Sequence, residues 1–280
     1  MKYLVGFIVF VFLSSASAGS EKIKFAPLPM YKSELVIKHY KGMLGYLSKK
    51  LGVEFEIVYH ADYGELLAAI QNGDVAMAHL GPLPYAALLN HTKNVKPLVQ
   101  FLDEKGLASY TCSLVALKKS CATKQGNLFS KVALTQKLST CGDLAVSEMV
   151  QKYGVKLEAL ESYYSGTHSH VILDLLLEKA SVGSVRSSEY ESYEHLGIKE
   201  LERSSGYPGF LLLGTSSMDE KLAAKIQELL VSLKPFENKE NAFLMHEWGT
   251  NVKYGAIKAS NEPYEAIAKK IKNTRLAELK

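Results

Sequence analysis

The chain has 280 residues, 47% of them hydrophobic, and its 33 Lys and Arg against 29 Asp and Glu give a formal net charge of +4. That mild excess is spread along the chain, which argues against the concentrated basic face of a nucleic-acid binder, and there is no low-complexity tract or internal repeat. The length suits two lobes of ordinary domain size.

Residues 1–18 read as a secretory signal. Lys2 is a minimal positive n-region, Leu4 to Leu13 an apolar core, and Ala16-Ser17-Ala18 an A-x-A cleavage site before Gly19. The apolar run is short for a membrane span, and no Cys follows the cleavage site to carry a lipid. The mature protein is therefore expected in the periplasm, secreted by way of a cleaved signal, not membrane-embedded and monomeric.

The rest of the chain alternates short apolar strands with helical patterns, the mark of an α/β protein with mostly parallel sheets. Residues 23–26 form a first strand. A helix from Ser33 follows, with Leu35, Tyr40, Met43, Leu44 and Leu47 as its apolar positions and Gly52 as its stop. Residues 54–59, 75–80 and 96–101 are strands, and 63–71 is an amphipathic helix. After Lys105-Gly106 the pattern restarts with one long β segment, 110–117. Then come a strand (131–135), a helix (142–153), a strand (162–164), a helix (167–177) and a strand (182–186). Gly206-Tyr207-Pro208-Gly209 punctuates the chain. A strand at 210–214 and helices at 219–233, 241–247 and 263–272 complete it. Two crossover points, near 109 and 208, bracket a middle block. The reading is a two-lobed α/β protein with a hinge and an interlobe ligand cleft: lobe 1 is 19–109 plus 209–280, lobe 2 is 110–208.

The most informative stretch is 72–85, NGDVAMAHLGPLPY. A Gly turn leads into a short buried strand and then a Gly-Pro-x-Pro-Tyr bend. Ligands of open α/β sheets bind at the carboxyl ends of strands, and a helix start there favours anions.

Four segments carry a resemblance. They are YGELLAAIQNGDVAMAHLGPLPY (63–85), YTCSLVALKKS (110–120), STCG (139–142) and YSGTHSHVILDLLLEKASVGSVRS (164–187). In this order, over most of the mature chain, they resemble the periplasmic substrate-binding proteins of phosphate, phosphite and phosphonate uptake (PhnD-type, with the type II periplasmic-binding fold). The resemblance implies capture of a small tetrahedral oxyanion for an ABC transporter, with the permease as partner and no cofactor. It places Tyr85 and Tyr110 on the cleft, and Ser139, Thr140 and Cys141 in an STSG-like anion-holding turn. His168 matches the family's ligand histidine, and Arg186, at a strand end, offers a bidentate contact to a tetrahedral anion. The Val-Arg-Ser ending of that strand also resembles relatives that report a ligand to a sensor histidine kinase, so a sensing role is the alternative. Tyr31 and Tyr40 are further candidates from the first lobe.

The departures from the family pattern are specific. Cys141 stands where the STSG-like turn usually has Ser, and a thiol there is metalloid-reactive, which widens the alternatives to arsenic or sulfur oxyanions. Three cysteines, Cys112, Cys121 and Cys141, permit one disulfide and leave one thiol over. A bridge of this loop size adds roughly 3 kcal/mol. Either Cys141 is free and functional, or it is bridged to Cys112 at the cleft end of the crossover strand. Asp143 suits the helix dipole but would repel an ionised ligand if it faced the cleft. His168 and His170 point about 200° apart on one helix, and no Cys or carboxylate cluster has ligand spacing, so no metal is expected. Nucleophile-elbow, zincin, Walker A and paired-carboxylate signatures are all lacking, so an enzyme is not expected.

Overall fold

The computed structural model describes residues 22–29, 33–119 and 128–278. The signal segment, Tyr31 and Cys121 lie outside them. The first half runs β1 (Ile23–Ala26), α1 (Ser33–Leu51), β2 (Phe55–Ile57), α2 (Tyr63–Asn72), β3 (Met77–Leu80), α3 (Pro82–Leu89) and β4 (Val95–Phe101). Local chemistry accounts for the order. α1 has Glu34 in its first turn and Lys49 and Lys50 in its last, which complements the helix dipole. Its buried stripe is Val36, Tyr40, Met43, Leu44 and Leu47, packed with Phe25, Met77, Leu98 and Leu212. The stripe ends at Gly52, whose φ of +68° is left-handed. α2 opens with a reciprocal cap. The Asp62 carboxylate accepts from Glu65 N–H at 2.9 Å, and Glu65 reaches back to Ala61 N–H at 2.9 Å.

The chain then crosses through β5 (Ser109–Tyr110) into β6 (Cys112–Leu117), β7 (Val132–Leu134), a π-helical stretch (Thr140–Ala145) that leads into α4 (Val146–Gln151), β8 (Ser162–Tyr164), α5 (His168–Leu176), β9 (Val182–Arg186), α6 (Ser187–Tyr193) and β10 (Ile198–Arg203). It returns through β11 (Tyr207–Pro208) to β12 (Leu211–Thr215), α7 (Glu220–Ser232), α8 (Lys239–Met245), β13 (Ala256–Lys258) and α9 (Glu262–Ile271).

Two sheets result. One has the order β13-β4-β12-β3-β1-β2 and the other β10-β6-β9-β7-β8, while β5 and β11 pair separately as a two-stranded ribbon. Both sheets are mixed, which corrects the expectation of mostly parallel ones. Only β3-β1-β2 and β9-β7-β8 run parallel. The returning β12 inserts antiparallel between β3 and β4, and β6 runs antiparallel to both its neighbours. The single β segment expected at 110–117 is broken at Thr111. Tyr110 pairs with Tyr207 in the ribbon, whereas Cys112 onward joins the second sheet.

α3 is apolar all round and sits between the two sheets. Its Leu83, Ala86 and Ala87 pack with Ile267, Ala268 and Ile271 of α9 and with Cys112, Leu114, Val146 and Met149. Gly81 is its N-cap and Pro82 occupies the first turn, where a missing N–H costs nothing.

Candidate anion-binding cleft

A cavity of about 820 Å³ opens between the two sheets. The carboxyl ends of parallel strands converge on it, as open α/β sheets require. Gly81 follows β3, Thr135 follows β7, and Arg186 ends β9; all three line the cavity.

Arg186 is its electrostatic centre. The guanidinium carbon lies 4.6 Å from the Tyr110 ring centroid and 5.0 Å from that of Phe210. The two rings are themselves stacked, 19° from parallel. Among the described residues the Arg186 side chain has no carboxylate within ion-pair distance. The aromatic faces hold it by cation–π attraction, and its hydrogen-bonding fork remains available for an anion.

His168 sits beside it. Its Nδ1 accepts the Arg186 backbone N–H at 3.2 Å, which assigns the proton of the neutral ring to Nε2. Burial, and then the charge of Arg186, push its pKa down to about 3. At neutral pH His168 is thus an uncharged Nε2–H donor on the cavity wall.

The turn at 139–142 supplies hydroxyls. Ser139 Oγ accepts from Thr135 Oγ1 at 2.7 Å and from Gly142 N–H at 3.3 Å, so its own proton is left to donate. Gly142 is required here, because a Cβ would lie 3.0 Å from Thr135 N. Thr140 Oγ1 accepts Leu83 N–H at 3.1 Å, tying the turn to α3. Burial raises the pKa of the Tyr110 phenol on the same wall.

Six of the seven residues proposed from sequence line this cavity: Tyr110, Ser139, Thr140, Cys141, His168 and Arg186. Tyr85 does not. It is fully buried, donates to Asn261 Oδ1 at 2.7 Å, and meets Tyr264 edge-on at 5.1 Å. The Gly-Pro bend is the first turn of α3, and the helical rotation carries Tyr85 toward α9 instead of the cavity. Tyr85→Phe is therefore expected to lower stability by about 1 kcal/mol and leave ligand affinity unchanged, as denaturant midpoints and titration calorimetry will read.

Cys141 is not a thiol. It is bonded to Cys112 across 29 positions of sequence, which removes the basis for a thiol-reactive ligand at this position. Asp143 turns away from the cavity. Its two oxygens accept Leu138 N–H at 2.6 Å and the Tyr164 hydroxyl at 2.8 Å. Tyr40 is likewise buried, its hydroxyl 2.9 Å from Nδ1 of the fully buried His79.

Other wall residues escaped the sequence reading. Phe210 follows the Gly206-Tyr207-Pro208-Gly209 cluster, and Glu189 lies on α6, just beyond Arg186. Burial raises the Glu189 pKa against the opposing charge of Arg186, and Glu104 raises it further. The cavity wall thus carries the carboxyls of Glu104 and Glu189 as well as the Arg186 guanidinium.

Residues 25–264 match the family model described as "ABC transporter, phosphonate, periplasmic substrate-binding protein". The chain belongs to that family. The phosphonate-transporter family is one of substrate-binding components, not enzymes. Solved structures agree in fold. The chain is similar to PhnD1 of Prochlorococcus marinus, solved with methylphosphonate, at 15% identity and a TM-score of 0.74 over 89% of this chain and 97% of that one. It is similar to the binding component of a Pseudomonas aeruginosa ABC phosphonate transporter, at 16% and 0.71 over 91% and 90%. The Escherichia coli aliphatic sulphonate binding protein SsuA shares the fold at 13% and 0.59 over 92% and 94%. This phosphonate-family chain therefore has the periplasmic-binding-protein fold, and no helix among its described residues is long and apolar enough to cross a membrane.

Proposed function

We propose that this protein, exported and freed of residues 1–18, captures a small phosphonate-type oxyanion in the periplasm and delivers it to an ABC-transporter permease. The observation that carries the reading is the Arg186 guanidinium, which lies against two mutually stacked aromatic rings and, among the described residues, has no carboxylate at ion-pair distance. An anion there gains a charge-assisted bidentate contact in a partly desolvated site. Ser139 O–H and His168 Nε2–H serve as uncharged donors, and Thr140 and Tyr110 shape the wall. Cys141 contributes through its backbone.

The cavity is larger than a bare inorganic oxyanion needs, since volumes of about 300–1,000 Å³ accommodate organic ligands. Glu104 and Glu189 line it with Arg186, which favours a phosphonate whose organic group carries positive charge. Closure is assigned to the β5–β11 ribbon, with lobes of 19–109 plus 209–280 and 110–208 rotating about it.

A thermal-shift screen of the mature protein tests this, with methylphosphonate, 2-aminoethylphosphonate, phosphite, phosphate and sulfate as ligands. A ligand at 100 times its Kd adds about 2.7 kcal/mol of stability, a rise of several degrees for a chain of this size. The phosphonates are expected to give that rise, the amino compound the larger. No rise with any phosphorus oxyanion would sink the reading.

A further inference from the structure

The Cys112–Cys141 bond joins the two sides of the anion cradle. Cys112 is the residue directly opposite Arg186 in the β6–β9 ladder. Cys141 is the second residue of the helix that Ser139 caps. The sulfur bridge therefore connects the backbone position paired with Arg186 to the turn carrying the hydroxyls.

A second tie parallels the first. Ser184, two residues before Arg186 on β9, donates its hydroxyl to the Cys141 carbonyl at 2.7 Å. Cys141 is thus held to β6 by its side chain and to β9 by its backbone. Both cysteines are buried, Cys112 completely and Cys141 to 2% exposure. The helix they anchor opens in a wide π-helical stretch, Thr140–Ala145, before tightening into α4, and such irregular turns recur at functional sites.

We propose that the Cys112–Cys141 disulfide is a positioning element of the binding site. It fixes the spacing between Arg186 and the Ser139–Thr140 turn, so that both meet one oxyanion without first paying for their own ordering. A disulfide serving only to hold the fold together would raise the melting temperature and leave affinity untouched. A positioning disulfide changes affinity in protein that remains folded. This rests on the anion occupying the cradle described above.

The test compares mature wild-type protein with Cys112→Ala/Cys141→Ala, using methylphosphonate in titration calorimetry. Measurements are made well below each melting temperature, with far-ultraviolet circular dichroism to confirm the fold. The expected result is a Kd at least about tenfold higher in the double variant, which corresponds to about 1.4 kcal/mol. An unchanged Kd in a folded double variant overturns the proposal and leaves the proposed function standing. Failure of wild-type protein to bind methylphosphonate or any other phosphorus oxyanion overturns both. Cys112→Val/Cys141→Ala, which fills more of the buried space left by the sulfurs, serves if the double alanine variant does not fold. It is expected to show the same rise in methylphosphonate Kd, and an unchanged Kd in that folded variant overturns the proposal.

Discussion

Arg186→Gln is expected to raise the methylphosphonate Kd by about 100-fold while shifting the melting temperature of the ligand-free protein very little. The two effects separate because of what surrounds the guanidinium. In the bound state it would pair with an anion in a partly desolvated cleft, and loss of one member of such a pair costs about 2–5 kcal/mol. In the free state its contacts are the faces of Tyr110 and Phe210, at 4.6 and 5.0 Å, each worth about 0.5–1 kcal/mol. Against that small loss stands relief from a charge that has no ion-paired carboxylate among the described residues. Titration calorimetry and a melting curve on the same variant read both quantities. A variant that keeps wild-type affinity removes Arg186 from the site. One that instead loses several degrees of stability makes it a structural residue.

Acidification from pH 7 to 5 is expected to cost the free protein about 4 kcal/mol, a large part of the stability of a typical domain. The origin is a pair of histidines held neutral. Burial pushes the His79 pKa down to about 3, and burial together with Arg186 does the same to His168. Their unfolded value is near 6.5. The unfolded chain therefore takes up protons below pH 6.5 that the folded one refuses, so stability present above 6.5 is lost as pH falls toward 3. Each group contributes a slope of about 1.4 kcal/mol per pH unit. The part-exposed His39 and His60 are pushed the same way. Asp143 and Glu189 act oppositely, because burial raises their folded pKa values. Folded protein then binds their protons first, which works against the histidine loss, and the histidine slope is sought between pH 6.5 and 5. Urea midpoints measured across it check the slope, and His79→Gln should remove about half of it. A slope insensitive to that substitution contradicts the assignment.

Much of the architecture was legible because punctuation and periodicity coincide. Gly52 and Gly73 stop helices in left-handed conformations, Asp62 starts one, and Gly81-Pro82 opens another. One element that escaped, β13, is a three-residue strand in a stretch read as wholly helical; two others are polar. SSEYESY (α6) and IKELER (β10) offer few apolar positions, and β10 carries a register shift between Glu200 and Glu202 where it pairs with β6. Neither sequence shows clean alternation or a helical stripe.

Within the site, the family resemblance singled out Arg186, at a strand end, and the Ser139–Gly142 turn, which by itself reads only as an ordinary N-cap. What spacing does not encode is rotation about a helix and distance across a sheet. The first obscured Tyr85, which a bend alone would aim at the cleft but a helical turn aims at Tyr264. The second left Cys141 open between thiol and disulfide, because the proximity of residues 112 and 141 is created by β6 lying beside the helix start. Phe210 and Glu189 enter the wall by the same long-range folding.

The most direct test is a crystal structure of the mature protein with methylphosphonate. The account predicts phosphonate oxygens within about 3 Å of the Arg186 guanidinium, His168 Nε2 and the Ser139 hydroxyl, with Tyr85 still bonded to Asn261. A phosphonate bound elsewhere, with Arg186 left stacked and uncontacted, would contradict it.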